Sequence, residues 1–368
     1  MFSYGGELMV YVIGFLFAFC LSILFTILTI RLAYKYGFLD DPKRRHNAIL
    51  HTEPIPRAGG LPVYLATFVV SLVIFSYQFS AIQSTDWVKH LTGIFLAGAC
   101  IVIMGLLDDK YDLSPKLRLG LMFLFALIVV AFGVGVSYVT NPFGGVFHLN
   151  GWVIPFYFWD GLHTLVVWAD IVAVFWIVSL MNAINWSSGL DGQNAGITVV
   201  ALIILGFASM RYDRLSEPTA LLSFIAAGAF AGFLLFSAYP QKIMPGFGGS
   251  TFSGFMIAVL SILSGAKFAT ALIVLAIPIL DAVWVFTRRI LHKKNPMSND
   301  RTHLHHYLLD IGWSKRRIAF FYWLICALLG ILSLQIDSQS KVFVMGGVLI
   351  LFIVGVIWIR RLLPSSKL

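Results

Sequence analysis

Long apolar runs follow one another along most of this chain, and they limit its fold more than any other feature. A helix needs about 20 mostly apolar residues to cross a hydrocarbon core of roughly 30 Å. Eleven such runs predict transmembrane helices near residues 9–33, 60–79, 91–107, 117–138, 164–181, 194–210, 219–238, 250–264, 268–287, 318–334 and 342–359. Composition agrees, because 59% apolar and 12% charged residues are not typical of a soluble chain. We therefore predict an all-α polytopic membrane protein with about 11 transmembrane helices, in which residues 1–368 form a single domain.

Basic residues are distributed unevenly between the two sets of loops. If the first span runs from outside to inside, 21 of the 26 Lys and Arg residues lie in or beside the cytoplasmic segments 34–59, 108–116, 182–193, 239–249, 288–317 and the C-terminal tail. The positive-inside rule then predicts an outer N-terminus and a cytoplasmic C-terminus. This topology, together with anionic headgroups, accounts for the net charge of +9, so we expect no nucleic-acid partner.

The longest outer segment, residues 139–163, contains Asn150-Gly151 between two short β-prone runs. Asn-Gly between such runs is the strongest short-range signal for a hairpin. We therefore expect a small outer β-hairpin that turns at these two residues.

Two adjacent carboxylates, Asp108 and Asp109, follow the third span, and Lys116 and Arg118 come soon after them. Neighbouring carboxylates repel each other, so a hard divalent cation or a basic neighbour is expected to neutralise them. The alternative is a solvated loop in which Lys110 and Lys116 pair with the acids.

The third cytoplasmic loop reads NAINWSSGLDGQ over residues 182–193 and is unusually polar for a connection between spans. Its glycines permit a ligand to approach the backbone, and the amides of Asn182 and Asn185 can bind phosphate oxygens or a carboxylate. Asp191 adds a charged acceptor. A simple turn between helices is the alternative.

Histidines are concentrated in the fifth cytoplasmic loop, where Asp300 and Arg301 precede His303, His305 and His306. A short helix here would put Asp300, His303 and His306 on one face and direct Arg301 and His305 elsewhere. Such a segment offers donors to a diphosphate from several directions. A solvated helix is the alternative, and a closed zinc site would need a fourth ligand such as cysteine.

Two more residues are candidates because of their positions beside spans. Arg57 lies in PIPRAGG, whose prolines and glycines form fixed turns at the start of the second span. Asp281 lies in an apolar run, where a carboxylate at the bilayer centre costs about 3 kcal/mol. We expect Asp281 to lie near the cytosol or to face a polar interior. A structural role remains the alternative for both residues.

Taken in order, these segments resemble the polyprenyl-phosphate N-acetylhexosamine-1-phosphate transferases, a family related to the muramoyl-pentapeptide transferases. Residues 40–60 resemble the family's first loop, and Asp108 and Asp109 its aspartate pair. Residues 182–192 resemble its N-x-x-N-x-x-D-G-x-D-G run, and residues 300–306 its D-R-x-H-x-H-H run. Residues 141–145 resemble an outer loop of the family.

The resemblance implies an eleven-helix fold and a defined reaction. N-acetylhexosamine 1-phosphate would pass from a UDP-sugar to undecaprenyl or another polyprenyl phosphate, with release of UMP, at the cytoplasmic face of the bacterial inner membrane. This step would initiate the synthesis of a cell-surface glycan. The implied partners are the membrane, polyprenyl phosphate and UDP-N-acetylhexosamine, and a homodimer stays open beside a monomer.

The resemblance also implies roles for particular side chains. The catalytic groups would be Asp108, Asp109 and Asp191, which would also hold Mg²⁺, or Mn²⁺ in its place. The residues expected to bind substrate are Arg57, Lys116, Asn182, Asn185, Asp281, Asp300, Arg301, His303, His305 and His306.

Two positions depart from the family's pattern. Ser188 stands where the pattern has an aspartate, and Phe247 replaces the metal-binding aspartate of the G-D-x-G-S segment, here residues 246–250. A phenyl ring cannot ligate Mg²⁺, so the implied metal site loses negative charge.

These departures leave two hypotheses of different classes, and a transporter is a more distant third. One is an active transferase whose metal site is rearranged around Asp108, Asp109, Asp112 and Asp191. The other is a catalytically impaired family member that binds the lipid phosphate or the nucleotide sugar as a sensor or scaffold.

Overall fold

The computed structural model describes residues 4–40, 53–77, 85–136, 138–141, 144–158, 161–211, 217–265, 268–293 and 302–362, and most of them are helical. The helices are α1 Tyr4–Tyr36, α2 Gly60–Tyr77, α3 Thr85–Tyr111, α4 Pro115–Ala131, α5 Val167–Trp186, α6 Gln193–Met210, α7 Glu217–Ser237, α8 Gly246–Leu263, α9 Phe268–Val274, α10 Ala276–Leu291, α11 Leu304–Asp310, α12 Lys315–Gln335 and α13 Ser338–Leu362. The short strands are β1 Leu39–Asp40, β2 Ile55–Pro56, β3 Tyr138–Thr140, β4 Val146–His148, β5 Val153–Phe158 and β6 Gly161–Val166.

Each of the eleven apolar runs overlaps helical structure among the described residues, and the chain is a multi-pass membrane protein. Within the described residues, nine helices are long and apolar enough to cross a membrane, or ten spans if one bent pair counts as a span. The prediction of eleven single spans is therefore confirmed only in part. The run at 117–138 yields α4, which has 17 residues and is not among these nine helices.

The run at 268–287 is the second exception, because it is broken into α9 and α10. The axes of these two helices differ by 80°. Pro278 lies in the first turn of α10, where a missing N–H costs no helical hydrogen bond. The same missing N–H cannot donate to the carbonyl of Val274, so α9 does not continue through this point.

The strands between α4 and α5 pair differently from the predicted hairpin. β3 pairs antiparallel with β4, and β5 pairs antiparallel with β6. Asn150 and Gly151 turn between β4 and β5, which belong to separate two-stranded sheets. The prediction of a hairpin that turns at Asn150-Gly151 is therefore wrong. β5 forms six cross-strand pairs with β6, more than the three residues of β4 could offer it.

The most enclosed of the candidate spans is α8, since 89% of the residues in its most apolar stretch are buried, against 17% in that of α13. It packs on α2, α3, α5 and α6. Glycines make the closest of these approaches, since a Cβ on Gly105 would clash with Gly248 and a Cβ on Gly60 would lie 2.7 Å from the amide nitrogen of Gly249. The C-terminal part of α3 and the start of α2 therefore meet at the N-terminal end of α8.

Candidate active site

Asp109 connects the C-terminal end of α3 to the N-terminal end of α8. Its Oδ1 accepts a hydrogen bond from the amide of Phe247 at 3.2 Å and lies 2.9 Å from Nε of Arg57. A helix N-terminus favours a neighbouring anion. Gly246 has φ +65°, and a Cβ at this position would clash with Oδ2 of Asp109. Glycine is thus required both by the backbone and by the carboxylate.

Arg57 is held in place by backbone contacts on both sides of it. The amide of Met244 donates to the carbonyl of Pro56 at 2.8 Å, and the carbonyl of Met244 accepts from the amide of Gly59 at 3.1 Å. The guanidinium pairs with Asp40 at 3.3 Å as well as with Asp109. Burial disfavours the charge, but the carboxylates of Asp109 and Asp40 outweigh it, so the pKa of Arg57 lies above its ordinary value. Arg57 therefore stays cationic between two acids.

Asp108 is bound by a different arginine, which the sequence did not identify as a site residue. Nη1 of Arg118 lies 3.2 and 3.3 Å from the two carboxylate oxygens, and the amide of Leu113 donates to Oδ1 at 3.1 Å. The Arg118 guanidinium also lies 4.9 Å from the centre of the Phe247 ring. Arg118 is in the first turns of α4, for which Ser114 is the N-cap residue.

Asparagines of the third loop contact α8 or their own helix. Oδ1 of Asn185 accepts from the hydroxyl of Ser250 at 2.5 Å, and the hydroxyl of Ser188 donates to the carbonyl of Asn185 at 2.7 Å. Asn182 donates to the carbonyl of Val178 at 2.8 Å, within α5. These contacts fix the loop beside the start of α8, while substrate binding by Asn182 and Asn185 stays a prediction.

Asp191 lies on the wall of a cavity of about 800 Å³. Its Oδ1 is 3.3 Å from Nζ of Lys315. The same cavity is lined by Arg31, Lys242 and Tyr239, and by apolar residues of α1. Three cations, the two carboxylates of Asp191 and Glu53, and three aromatic rings thus line one space. The cations were counted in the sequence only as topology signals.

Asp281 and His303 form a second buried group, between α10 and α11. Nδ1 of His303 lies 2.8 Å from Oδ2 of Asp281, and the amide of Leu304 donates to Oδ1 at 2.7 Å. Because α11 begins at Leu304, His303 is its N-cap residue and does not share a helical face with His306. That part of the sequence prediction is wrong, because the helix starts later than the sequence pattern indicates.

His305 brings the fifth loop against the third. Its ring stacks on His303 with centroids 5.5 Å apart and lies 4.3 Å from the ring of His306. A Cβ on Gly189 would clash with the His305 ring, so glycine permits this approach. Asp300 and Arg301 lie outside the described residues, and Lys116 is exposed in the first turn of α4.

The arrangement does not fit a metal ion shared by Asp108, Asp109 and Asp191. Within the described ranges, no three His, Cys, Asp or Glu side chains are grouped so that they could hold a metal. Mg²⁺ requires near-octahedral oxygen ligands, whereas the three carboxylates face Arg118, Arg57 and Lys315. These contacts argue against one ion shared by the three carboxylates, while a Mg²⁺ or Mn²⁺ cofactor held in another way stays a prediction.

Known proteins resemble this chain over most of its length. The profile of glycosyl transferase family 4 matches residues 91–265. A probable undecaprenyl-phosphate N-acetylglucosaminyl 1-phosphate transferase of Bacillus subtilis is 29% identical, over 89% of this chain and 86% of that protein. A decaprenyl-phosphate N-acetylglucosaminephosphotransferase of Mycolicibacterium smegmatis is 31% identical, over 88% and 82%. A phospho-N-acetylmuramoyl-pentapeptide-transferase of Listeria monocytogenes is 28% identical, over 82% and 88%. The profile match contains the aspartate pair, the third loop and the start of α8.

Proposed function

The chain belongs to glycosyl transferase family 4, and we propose that its donor substrate is a UDP-N-acetylhexosamine. It is a membrane phosphotransferase that moves N-acetylhexosamine 1-phosphate onto undecaprenyl or another polyprenyl phosphate. The observation that carries this conclusion is the meeting of Arg57, Asp109 and the Phe247 amide. Three segments that resemble the family's motifs, far apart in the sequence, come together there.

The proposed reaction is a single phosphoryl transfer. A non-bridging oxygen of the lipid phosphate attacks the β-phosphorus of the donor and forms the new P–O bond. The bond from the β-phosphorus to the oxygen that bridges the two phosphates breaks, and UMP leaves with that electron pair. The product is a polyprenyl diphospho-sugar. Catalysis of such a step is mostly positioning and charge neutralisation.

The aspartate pair is the proposed catalytic centre. The lipid phosphate is already anionic near neutral pH, so it needs no strong general base. We assign Asp109 or Asp108 the role of accepting any remaining proton from this phosphate. Arg57 fixes Asp109 for this role through the 2.9 Å ion pair.

The cavity beside Asp191 supports a nucleotide-sugar site. Its volume of about 800 Å³ is within the range of small-molecule sites, which runs to roughly 1,000 Å³. Tyr239 offers a ring on which a base can stack, while Arg31, Lys242 and Lys315 offer positive charge to a diphosphate. Asp191 can accept hydrogen bonds from a base or a ribose.

The distribution of basic residues supports a cytoplasmic active site, with the N-terminus outside and the C-terminus inside the bacterial inner membrane. UDP-sugars are cytoplasmic metabolites, so this orientation brings the donor to the correct face. The relatives are named for transferase activity, and the catalytically impaired alternative is therefore not proposed.

An assay of UMP release tests the donor and the acceptor together. The purified protein in detergent is incubated with undecaprenyl phosphate and a panel of UDP-sugars, and UMP is quantified by chromatography. We expect release with a UDP-N-acetylhexosamine and none when the lipid phosphate is omitted. UMP release that is independent of the lipid, or an equal rate with UDP-glucose, would contradict the proposal.

A further inference from the structure

Phe247 places a ring, instead of an oxygen ligand, beside the aspartate pair. It is buried, its amide donates to Asp109, and its ring faces the Arg118 guanidinium at 4.9 Å. Arg118 in turn contacts both oxygens of Asp108. An arginine above an aromatic face is attracted by the ring quadrupole, more strongly where water is excluded. Phe247 therefore holds Arg118 on the carboxylate from one side.

Each carboxylate of the aspartate pair already has a cationic partner. Arg118 pairs with Asp108 and Arg57 with Asp109, and Arg57 also contacts Asp40. Both carboxylates are nearly buried, with side-chain exposures of 2% and 3%. A divalent cation would have to displace at least one guanidinium and break an ion pair whose carboxylate is almost fully buried, which is costly.

We propose that the aspartate pair of this chain is occupied by the guanidinium groups of Arg57 and Arg118 instead of by a divalent cation, and that Phe247 keeps Arg118 in this position. Phe247 is a positioning residue in this scheme. Each guanidinium has five N–H donors, so both retain donors for phosphate oxygens after binding their carboxylates. Where the inference concerns turnover, it rests on the proposed function.

Direct measurement of Mn²⁺ binding tests the inference without any need for turnover. The full-length protein in detergent is titrated with Mn²⁺, and the free ion is followed by electron paramagnetic resonance. We compare the unaltered chain with Phe247→Asp, which restores an oxygen ligand, and with Phe247→Leu, which removes the ring without adding one. Size-exclusion chromatography checks that each variant is folded.

We expect Phe247→Asp to bind one Mn²⁺ at least about tenfold more tightly than either other protein, because hard cations prefer carboxylate oxygens. The unaltered chain is expected to bind no Mn²⁺ at the aspartate pair. Stoichiometric Mn²⁺ binding by the unaltered chain that is lost in Asp108→Asn would overturn the inference. Equal binding by the Asp and Leu variants would also overturn it, because Phe247 would then not be what excludes the ion.

A chelator gives an independent result once turnover has been measured. The rate of UMP release in EDTA is expected to stay within about twofold of the rate in Mg²⁺, since the arginines provide the neutralising charge. Loss of turnover in EDTA that Mg²⁺ restores would contradict the inference. Absence of turnover under every condition would count against the proposed function, while the Mn²⁺ titration would still decide the occupancy of the aspartate pair.

Discussion

Asp109 and Asp281 are both buried carboxylates, but they bind different kinds of partner. Asp109 belongs to an aspartate–arginine cluster, which consists of Asp108, Asp109, Arg57 and Arg118. Asp281 belongs to an aspartate–histidine brace, in which its two oxygens contact His303 and the amide of Leu304. In the cluster, two arginines neutralise the carboxylates, whereas in the brace Asp281 orients an imidazole and accepts from the first amide of a short helix. The partners of a buried acid therefore indicate whether it takes part in charge neutralisation or fixes the position of a loop.

The largest effect on turnover is expected from Asp109→Asn, which removes charge from the cluster. The rate of UMP release should fall by about a hundredfold or more, as when one preorganised group is lost from an active site. The melting temperature should fall only moderately, because asparagine can still accept from the Phe247 amide and Arg57 keeps its contact with Asp40. Asp86→Asn is the matched control, since Asp86 is an exposed acid at the opposite end of α3. Equal rates in the two variants would remove Asp109 from the catalytic centre.

A smaller effect is expected from Gly246→Ala, which pushes the carboxylate of Asp109 away. We expect a loss of turnover of about tenfold, together with roughly 1–2 kcal/mol of backbone strain. Gly37→Ala is the control, because Gly37 also has positive φ but a Cβ there meets nothing within 4 Å. Both variants share the strain, so only the first should lose turnover. Similar kinetics in the two would show that contact with Asp109 is unimportant.

The brace predicts a different pattern, in which stability changes more than turnover. Asp281→Ala leaves the Leu304 amide and His303 without their acceptor, which should cost about 1–3 kcal/mol of unfolding free energy. Asp281→Asn keeps one acceptor and should recover much of this loss. Thermal unfolding and UMP release measured on both variants would test the distinction. A hundredfold loss of turnover in Asp281→Asn, with normal stability, would make Asp281 part of the catalytic centre.

The smallest effect is expected in the cavity beside Asp191. Lys315→Gln keeps the length of the side chain but removes its charge, so the KM for the donor should rise about threefold to tenfold while kcat changes little. Lys35→Gln serves as the control, because Lys35 is basic and exposed but does not line the cavity. An unchanged KM in Lys315→Gln would argue against a diphosphate at this point.

The spans and the location of the acids could be predicted from the sequence, because both depend on local patterns. A long run of apolar residues predicts a membrane helix from local composition alone. Asp108 and Asp109 directly follow such a run, and they lie in the last turn of α3. The break between α9 and α10 was missed because hydropathy does not distinguish a straight helix from a bent pair. Pro278 inside this run is the sequence signal that could have indicated it. The strand pairing failed for a related reason: a turn signal at Asn150-Gly151 is local, whereas pairing depends on the whole segment.

The partners of the acids could not be predicted, because they depend on long-range packing. Arg57 reaches Asp109 only because glycines let α2, α3 and α8 approach closely. Arg118, ten residues after Asp108, was noted in the sequence only as a basic neighbour of the pair. The sequence does not show which of Lys116 and Arg118 turns towards the carboxylate.

The fate of the β-phosphate distinguishes transfer of a sugar phosphate from transfer of the sugar alone. The purified protein is incubated with undecaprenyl phosphate and UDP-N-acetylglucosamine radiolabelled at the β-phosphate, and the lipid and aqueous phases are then separated. Transfer of the sugar together with its phosphate predicts that the label enters the lipid phase in step with the release of UMP. Label that remains in the aqueous phase as UDP, while the sugar alone reaches the lipid, would contradict the account.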